Sequence, residues 1–579
     1  MEFHKHVTTR SRRGAAPAAP GSGTAAPVRS ARSRLLAGRS TWFAAGLAGA
    51  LAAGVAIAVG EAMAGIIPGA PSLVIAIGDL VIDLQPPGAK DFMVSLFGTN
   101  DKLALNLIIV VVAVTIAAAV GIAGRGSWIK AVIGFSVAGA VALFAALREP
   151  LTTASLAVVT VIVSMAASLA VLRVLLAATR PEWAEAEVVS PWDDDSPGAA
   201  PSTPAGAPAT AAVSSGSRPT GTWDRRNFLV MSGTVALGSV VVGSVGRYLL
   251  DHRPGGPPSS GPAAQLPPTG SPAPSLPGDA SLNVPGITPI VMPNDQFYRI
   301  DTALLVPRVD ASTWKLTIDG MVDTPVTLTY PQLQAMPLFD QYVTIACVSN
   351  EVGGNLVGNT RWTGVHLRSV LAMAGVQAGA TQIVGHSVDD FTVGFPTEWA
   401  MDPSRDPMIA LGMDGQPLPI EHGFPARLII PGLYGYVSAT KWLSRIELTT
   451  LDAFDAYWVQ LGWAKEAPIL TQSRIDVPKD GSGVSAGKVP IAGVAWAPDR
   501  GVSGVEVRVD NGAWQTAQIS AAISRATWVQ WLVPWDATSG DHTIEVRATD
   551  GTGTVQTADQ TPPPPDGARG HHTITVHVS

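Results

Sequence analysis

Long apolar runs in the first third of the chain alternate with short polar segments. Four of these runs are each near the ~20 residues that a membrane-spanning helix needs, and their many alanines and glycines suit close helix packing in lipid. The four runs occupy residues 42–67, 103–123, 128–147 and 154–177. A shorter run at residues 71–84 contains Asp79 and Asp83, and we interpret it as an interfacial or re-entrant segment. The pattern predicts four transmembrane helices over residues 41–177.

Charges that flank the apolar runs predict the orientation of the bundle. The N-terminal tail, residues 1–40, is basic and is expected to stay in the cytoplasm by the positive-inside rule. Arg125 and Lys130, between the second and third helices, then lie on the same side. The acidic loop falls outside; it carries Asp79, Asp83, Asp91 and Asp101. We therefore expect a multi-pass protein of a bacterial cytoplasmic membrane, in contact with lipid, with its N-terminus inside.

A fifth apolar segment stands apart from the first four. Residues 178–224 are rich in Pro, Ala, Ser and Thr, which predicts a disordered cytoplasmic linker. A fifth transmembrane helix is predicted at residues 225–250, and its opening Arg225-Arg226-Asn227-Phe228-Leu229 resembles a twin-arginine export signal. The alternative is a pair of flanking positive charges on an ordinary span. A second flexible linker, residues 251–285, follows, and the remainder of the chain is expected outside.

Charge and cysteine content narrow the possible functions. The formal net charge is −7, which argues against a nucleic-acid partner. One cysteine, Cys347, excludes an intramolecular disulfide and an iron–sulfur cluster; on composition alone its thiol is either buried and inert or functional. No histidine lies between His6 and His252, so the predicted spans cannot hold a bis-histidine haem. We therefore expect no haem, and electrons would pass to or from a separate carrier, a cytochrome or a quinone.

From residue 286 the chain alternates short β-type runs with polar turns, as a soluble domain does. We predict strands at residues 314–320 and 342–347, with a helical turn at residues 330–337 between them. Cys347 ends the second strand and precedes a loop rich in glycine and asparagine. Such a position is poorly explained by packing, because glycines let the backbone approach a ligand and asparagines offer hydrogen bonds there.

The residues around Cys347 resemble the molybdopterin domain of the sulfite oxidase family. Cys347 is followed by Val-Ser-Asn-Glu-Val-Gly-Gly and then by Trp362-Thr363-Gly364-Val365. A second block runs from residue 418 to residue 432 and closes with Lys441-Trp442-Leu443, and an upstream block, residues 294–299, resembles the segment that opens the family's cofactor pocket. The resemblance implies an α+β domain over residues 286–454, a bound molybdenum–molybdopterin cofactor and oxo-transfer on a small molecule.

The same resemblance implies roles for individual residues. Cys347 is expected to be the catalytic residue and the molybdenum ligand, since a thiolate suits a metal held by dithiolene sulfurs. Arg427 is expected to bind the terminal phosphate of the pterin through its guanidinium fork. The other expected cofactor-binding residues are Asn294, Tyr298, Arg299, His386, His422, Ser438 and Lys441.

One departure from the family pattern bears on the substrate. Animal and plant sulfite oxidases follow the cysteine with a run of the Ala-Gly-Asn-Arg-Arg type, whereas residues 348–351 here read Val-Ser-Asn-Glu. A carboxylate at Glu351 in place of a cation would disfavour a dianionic substrate. Reduction of a neutral sulfoxide is therefore an alternative to sulfite oxidation. The alternative from another class is a non-catalytic, membrane-anchored β-sandwich binding protein that has lost its cofactor.

The last part of the chain, residues 455–579, has an all-β pattern. Residues 505–510 alternate strictly, and Asn511-Gly512 predicts a type I′ hairpin turn. The pattern resembles the immunoglobulin-like domain that follows the molybdenum domain in sulfite oxidases and mediates dimerisation in some members. A homodimer is therefore one expectation, and a merely stabilising partner domain is the other. The predicted architecture is a transmembrane helical bundle, an α+β molybdopterin domain and an immunoglobulin-like sandwich.

Overall fold

The N-terminal part of the chain forms a helical bundle. The computed structural model describes residues 31–85, 96–97, 101–179, 225–253 and 265–579. The helices of the bundle are α1 (Ala31–Ile66), α2 (Leu73–Leu84), α3 (Asp101–Gly126), α4 (Trp128–Arg148), α5 (Ala154–Ala178) and α6 (Arg225–Asp251). In the described ranges, 5 helices, all of these but α2, are long and apolar enough to cross a membrane, which confirms the predicted spans by length and composition. The linker predicted at residues 178–224 lies outside the described residues from residue 180 onward.

Small residues set the spacing within the bundle. α1 packs against α3, α5 and α6, and a Cβ added to Gly246 of α6 would lie 2.5 Å from the backbone nitrogen of Ala62 in α1. Only glycine permits this approach, as expected for helices that pack through small residues. α2 has 12 residues, which is too short to cross a bilayer, and it packs against α4 through Leu73 and Ala76.

The soluble part of the chain is seated on one end of the bundle. Arg253, just beyond α6, donates a hydrogen bond to the carbonyl of Ile67, just beyond α1 (2.8 Å). Lys102, at the start of α3, donates to the Asp301 carboxylate (2.6 Å) and to the Ala303 carbonyl (2.7 Å). Leu304 is buried in the same cluster as side chains of α1, α2 and α6. All of these contacts fall where α1 and α6 end and α3 begins.

Residues 315–449 build two sheets around one core. The first has the order β2-β1-β10-β5-β6, with β1 and β10 parallel; the second has the order β3-β4-β7-β8, with β9 paired to β7. The strands are β1 (Lys315–Gly320), β2 (Val326–Thr329), β3 (Phe339–Ala346), β4 (Val357–His366), β5 (Gln382–Ser387), β6 (Thr392–Pro396), β7 (Met408–Met413), β8 (Gln416–Pro417), β9 (Arg427–Ile429) and β10 (Leu443–Thr449). The predicted strands at residues 314–320 and 342–347 correspond to β1 and β3.

Short helices connect these strands and close the ends of the core. They are α7 (Tyr330–Gln334), α8 (Leu367–Ala374), α9 (Thr397–Met401), a 3-10 turn (Ile420–His422), α10 (Gly435–Ser438) and α11 (Tyr457–Gln460). α7 starts with a capping box in which Thr329 and Gln332 satisfy each other's free backbone donors. The predicted helical turn at residues 330–337 is therefore present but ends sooner, at Gln334.

The C-terminal part is a pair of antiparallel-rich sheets that share a core. One sheet has the order β11-β13-β17-β16 and the other β12-β19-β18-β14-β15, and Ile475, Trp531, Val546 and Val576 meet between them. The strands are β11 (Gln472–Val477), β12 (Gly483–Val484), β13 (Gly487–Trp496), β14 (Val502–Val509), β15 (Gln515–Thr516), β16 (Gln518–Ile519), β17 (Val529–Ala537), β18 (Gly540–Asp550) and β19 (His572–Val578). The predicted all-β pattern is thus a two-sheet sandwich; its immunoglobulin-like character stays a prediction.

The hairpin turn lies elsewhere than predicted. Asp510 and Asn511 have positive φ angles of 51° and 57°, so these two residues, rather than Asn511 and Gly512, take the left-handed conformation. β14 and β15 pair through Glu506 and Thr516, so the loop between them is longer than a two-residue turn. Asp and Asn both tolerate the left-handed conformation. Asp510-Asn511 and Asn511-Gly512 were therefore both possible turn positions.

Two predicted segments contact the neighbouring domain. In residues 251–285, the described part from residue 265 lies along the first soluble domain, where Gly270 donates a backbone hydrogen bond to Leu338 (2.9 Å) and Leu266 packs on the core. Residues 455–463, assigned from the sequence to the C-terminal domain, contribute Trp458 and Trp463 to the packing of the first domain. The regular strands of the sandwich begin only at Gln472.

Candidate active site

The thiol of Cys347 is placed by a strand end and a closed loop. β3 ends at Ala346, which pairs with Val357 of β4, so the intervening residues must reverse the chain direction. The Cys347 amide donates to the Leu356 carbonyl (2.9 Å), and the Cys347 carbonyl accepts from the Asn350 amide (3.1 Å). The buried Asn350 side chain accepts a further bond from the Leu356 amide (2.7 Å). The loop is therefore held by its own backbone and one asparagine.

The C-terminal sandwich supports the outer side of this loop. Arg474 donates to the Gly354 carbonyl (2.9 Å). Gly353 has a φ angle of 79°, and a Cβ there would lie 2.2 Å from the His572 ring, so the loop needs glycine both for its conformation and for its contact. Since the loop follows the thiol directly, the sandwich helps to fix the position of Cys347.

The thiol faces an open cleft. Its walls come from the segment before β1, the cysteine loop, the segments around β9 and α10, α11, and Gln85 at the end of α2. Among the lining residues are Tyr298, Asp301, Cys347, Val348, Ser349, Asp389, Phe391, Arg427, Tyr436, Lys441, Trp442, Trp458 and Trp463. Four residues predicted from the sequence, Cys347, Tyr298, Arg427 and Lys441, thus lie together on its walls.

Arg427 brings a positive charge to the cleft without a carboxylate partner. Its side chain is buried, with 3% of its surface exposed, and one terminal nitrogen donates to the His422 carbonyl (3.1 Å). The guanidinium lies 4.9 Å from the centre of the Trp362 ring, and burial lowers the pKa of Arg427 to about 10. Its Nε is buried without a hydrogen-bond partner, and no ion pair to it occurs among the described residues. Because a buried charge is costly unless it is paired, this site suits an anionic group.

Lys441 lies in the same cleft but is neutralised by a carboxylate. Its Nζ donates to Asp301 (3.1 Å) and to the Glu421 carbonyl (2.9 Å). Burial lowers the pKa of Lys441 to about 8, although Asp301 acts in the opposite direction. Burial alone would raise the pKa of Asp301, yet Lys441, Lys102 and Arg299 together hold it well below its ordinary value. Lys102 comes from α3, so the membrane bundle takes part in this network.

Four further predicted residues surround this cleft in supporting positions. His422 is buried, its ring nitrogen lies 3.2 Å from the Asn294 carbonyl, and burial lowers its pKa to about 3, so the ring is neutral. Asn294 donates its side-chain amide to the Met413 carbonyl (3.1 Å). Arg299 pairs with Asp301 (3.1 Å). The hydroxyl of Ser438 donates to the carbonyls of Leu433 and Tyr434, which precede α10.

Tyr298 lies near enough to both the thiol of Cys347 and the guanidinium of Arg427 for each to affect its pKa. Burial, together with the neighbouring Cys347, raises the pKa of Tyr298 far above its ordinary value, so its hydroxyl keeps its proton and can donate a hydrogen bond into the cleft.

His386 is placed apart from this group. It lies on β5, where its Nε2 contacts Glu447 at 3.0 Å and Arg445 at 3.4 Å, and it is absent from the residues that line the cleft. Its ring belongs to a network of charged side chains on the sheet of β5 and β10.

The charge that the sequence placed beside the thiol also lies elsewhere. Glu351 is exposed and does not line the cleft, because Asn350 turns inward to close the loop and the chain then leaves the cavity. Val348 and Ser349 line the wall next to Cys347 instead. The local environment of the thiol is therefore uncharged rather than negative.

Comparisons with known proteins place this cleft in a family. Residues 303–458 match the family model described as the oxidoreductase molybdopterin binding domain. The chain is similar to human mitochondrial sulfite oxidase, with 28% identity over 302 residues that cover 44% of this chain and 55% of that protein. Residues 303–458 are thus an oxidoreductase molybdopterin binding domain similar to that of the sulfite oxidases.

Two other similarities extend the comparison. Nitrate reductase [NADH] 1 from rice (Oryza sativa subsp. japonica) is 34% identical over 178 residues, which cover 26% of this chain and 19% of that enzyme. The crystal structure of the sulfane dehydrogenase SoxCD from Paracoccus pantotrophus superposes with a TM-score of 0.42 and 23% identity, covering 48% of this chain and 79% of that one. The chain spans about half the length of the sulfite oxidases that it matches.

The residues of the cleft fit a molybdopterin cofactor. The cleft is lined by the thiol of Cys347, which suits a soft metal. It is also lined by the buried guanidinium of Arg427, whose Nε has no partner among the described residues. A guanidinium offers a phosphate a fork of hydrogen-bond donors. Cys347 would hold the metal, with Arg427 and Lys441 holding the phosphate end.

Several residues of this site were missed from the sequence. Asp301 lies two residues after the block at residues 294–299, but its partner Lys102 is in a membrane helix. Trp458 and Trp463 were placed in the wrong segment because the strand pattern changes only later. The tryptophans that follow β10 were the feature of the sequence that could have indicated this packing.

Removal of the Arg427 charge should release the cofactor. Arg427→Gln loses charge-assisted hydrogen bonds, each worth about 1.5–3 kcal/mol, so we expect cofactor retention to weaken by about 10- to 100-fold. Molybdenum and pterin content per chain, measured after identical purification, tests this. Arg445→Gln is the matched control, because Arg445 pairs with Asp319 and Glu447 outside the cleft. Equal cofactor content in Arg427→Gln and Arg445→Gln would contradict the assignment.

Titration of Lys441 should make cofactor retention depend on pH. Its pKa is lowered to about 8, so the side chain is charged below that pH and neutral above it. Retention of an anionic cofactor should therefore be full near pH ~7 and fall as the pH rises through about 8. Dialysis followed by pterin analysis measures the profile. Lys441→Met should retain less cofactor at neutral pH and lack this step; a step that persists in Lys441→Met would assign it to another group.

Proposed function

We propose that this chain is a molybdenum-cofactor-dependent enzyme that transfers an oxygen atom to or from a small sulfur-containing substrate. The observation that carries the proposal is the buried guanidinium of Arg427, which has no carboxylate partner in the described part of the chain and lies in the same cleft as the thiol of Cys347. A binding protein that had lost its cofactor would gain nothing from keeping such a charge buried.

The chain's own residues have distinct tasks in this proposal. The bound cofactor supplies a metal that exchanges an oxygen atom and two electrons with the substrate. Cys347 ligates that metal and is held by the loop that Asn350 closes. Arg427 and Lys441 bind the anionic end of the cofactor, and the protonated Tyr298 hydroxyl offers a hydrogen bond near the thiol. His422, neutral and buried, keeps the entry segment at Asn294 in place.

The walls of the cleft favour a neutral substrate. Val348 and Ser349 stand beside the thiol, and the remaining wall is largely aromatic, with Phe391, Trp458 and Trp463. Lys441 is already paired with Asp301, so it adds little positive charge for a dianion. Reduction of a sulfoxide is thus a second candidate that this wall favours over sulfite oxidation. The reason differs from the one given by the sequence, since Glu351 is outside the cleft.

The proposed location is the outer face of a bacterial cytoplasmic membrane. The soluble part docks at the end of the bundle where α1 and α6 finish, which is the end opposite to the loop with Arg125 and Lys130. By the positive-inside rule that basic loop stays inside, so the catalytic domain lies outside. A separate carrier would exchange electrons with it. The immunoglobulin-like nature of the sandwich, and a homodimer formed through it, remain predictions.

Cys347→Ser should abolish oxo-transfer while leaving the fold intact. A serine hydroxyl is a hard and mostly protonated ligand that does not replace a thiolate, so we expect a loss of activity of at least about 100-fold. Activity is measured with methyl sulfoxides and with sulfite, using artificial electron donors and acceptors, and circular dichroism checks the fold. Wild-type activity in Cys347→Ser would remove the thiol from the mechanism.

The paired arginines at the start of α6 should be required for export. Replacing both with lysine (Arg225→Lys and Arg226→Lys) keeps the charge but loses the guanidinium geometry that twin-arginine recognition reads. We expect the first four spans to insert while the catalytic domain stays in the cytoplasm. Protease added to spheroplasts should then spare the C-terminal domain. Arg247→Lys, near the other end of α6, is the matched control; equal cleavage of the wild type and the double variant would mean that α6 is an ordinary span.

A further inference from the structure

A second cavity lies between the membrane bundle and the catalytic domain. Its volume is about 690 Å³. One side is formed by the ends of the membrane helices: residues 68–72 after α1, α2 itself, residues 148–152 after α4, and Leu250 of α6. The other side is the catalytic-domain segment at residues 302–308, with Asp389, Phe391 and Tyr457. We call it the interdomain cavity.

The interdomain cavity shares a wall with the active-site cleft. Thr302, Asp389 and Phe391 line both spaces. A molecule in the interdomain cavity is therefore separated from the cleft by single side chains. The shared wall makes the two spaces direct neighbours.

The lining of the interdomain cavity is apolar toward the bundle and has polar groups at its base. Leu80, Ala145 and Leu250 give it a wall continuous with the membrane helices. Arg253 lines it as well, and the Nε of this arginine is buried without a hydrogen-bond partner among the described residues. A terminal nitrogen of the same guanidinium already donates to the carbonyl of Ile67. This guanidinium N–H therefore has no acceptor among the described residues.

A pair of carboxyl groups faces the same space. Asp79 of α2 is hydrogen-bonded to Glu149, and burial, with this neighbouring carboxylate, raises the pKa of Asp79 to about 8. Such a pair holds one proton near neutral pH and can accept or release it. The other charged or titratable groups lining the cavity are Asp83, Arg148, Arg253, Arg308, Asp389, Asp390 and Tyr457.

We propose that the interdomain cavity binds the head group of a membrane quinol, which donates electrons to the neighbouring active site. This inference rests on the oxo-transfer function proposed above. A lipid-soluble ligand explains why the wall is built from helix ends, and a ring with two oxygens explains a free N–H donor together with a proton-accepting carboxyl pair. The predicted spans contain no histidine for haem, so electrons from lipid must enter beside the cleft.

The reaction balances without another reagent. A quinol breaks two O–H bonds as it becomes a quinone, releasing two protons and two electrons. Reduction of a sulfoxide consumes two electrons and two protons, breaks the S=O bond and releases one water. The sum is quinol plus sulfoxide giving quinone, sulfide and water. The Asp79–Glu149 pair takes up the first proton from the quinol and passes it on, which returns the pair to its starting state.

Quinone binding can be measured independently of activity. The full chain is placed in nanodiscs of phosphatidylethanolamine and phosphatidylglycerol and titrated with decylubiquinone and a short-tail menaquinone, with tryptophan fluorescence as readout. We expect saturable binding that is at least about tenfold weaker in Arg253→Met, which loses a charge-assisted hydrogen bond. Arg368→Met is the matched control, because Arg368 pairs with Asp406 away from the cavity. An azidoquinone should label residues 68–83, 148–153 or 302–308.

Each outcome separates this inference from the function on which it rests. Binding should be unchanged in Cys347→Ser, so a failed oxo-transfer assay would leave the quinone measurement intact. Asp79→Asn should keep binding within a few-fold but slow quinol-driven sulfoxide reduction, while reduction by a soluble dye continues. No saturable binding, equal affinity in Arg253→Met and Arg368→Met, or labelling confined to lipid-facing helix surfaces would overturn the inference. A cavity protected from azidoquinone by bound phospholipid would overturn it as well.

Discussion

Asp301 is the carboxylate on which the arrangement of the whole molecule depends. It is 5% exposed and accepts from Lys102 of the membrane bundle, Arg299 of the entry segment and Lys441 of the cleft. A buried carboxylate is stable only when it is paired, and loss of one partner of a buried pair costs about 3–5 kcal/mol. Three cations from three parts of the chain therefore fix one another through a single side chain. Separation of the bundle from the catalytic domain would take Lys102 away from the buried Asp301 carboxylate, so this contact favours the two parts staying together.

The C-terminal sandwich fixes the cleft from the opposite side. Its segment at residues 526–528 bonds to Thr344 of β3, where the Thr344 amide donates to the Ala526 carbonyl (2.9 Å) and the Trp528 amide donates to the Thr344 hydroxyl (2.8 Å). Trp528 is fully buried and its indole N–H donates to the Ile290 carbonyl (2.9 Å). β3 leads directly to Cys347, so the sandwich holds the strand that carries the thiol. No residue of the sandwich is among those that line the cleft. A purely stabilising role for the sandwich already explains these contacts.

Local sequence patterns predicted the membrane spans and two residues of the cleft, Cys347 and Arg427. The apolar runs marked the spans because their length is set by the bilayer, and Cys347 and Arg427 were found because a lone thiol and a family block leave few alternatives. Contacts between distant segments were not predictable: nothing near Lys102 indicates Asp301, and nothing near Gly353 indicates His572. Glu351 shows the limit most clearly, since its sequence position beside the thiol is correct while the backbone turn at Asn350 carries its charge out of the cleft.

The two buried cations of the cleft differ in whether a carboxylate compensates their charge. This difference bears on which ligands the cleft can bind. Lys441 has its counter-charge within the protein, so it offers an anionic ligand less uncompensated charge than Arg427 does. Arg427 has none among the described residues, so the cleft is electrostatically complete only when an anion is bound there. If the cofactor supplies that anion, its binding satisfies a buried charge that no described residue compensates. The cleft then presents aromatic walls and the Asp389 carboxyl to whatever enters next. A dianionic substrate would have to give up its hydration without an unpaired cation among the described lining residues to replace it. The charge pattern thus favours an anionic cofactor and a neutral substrate in the same cavity.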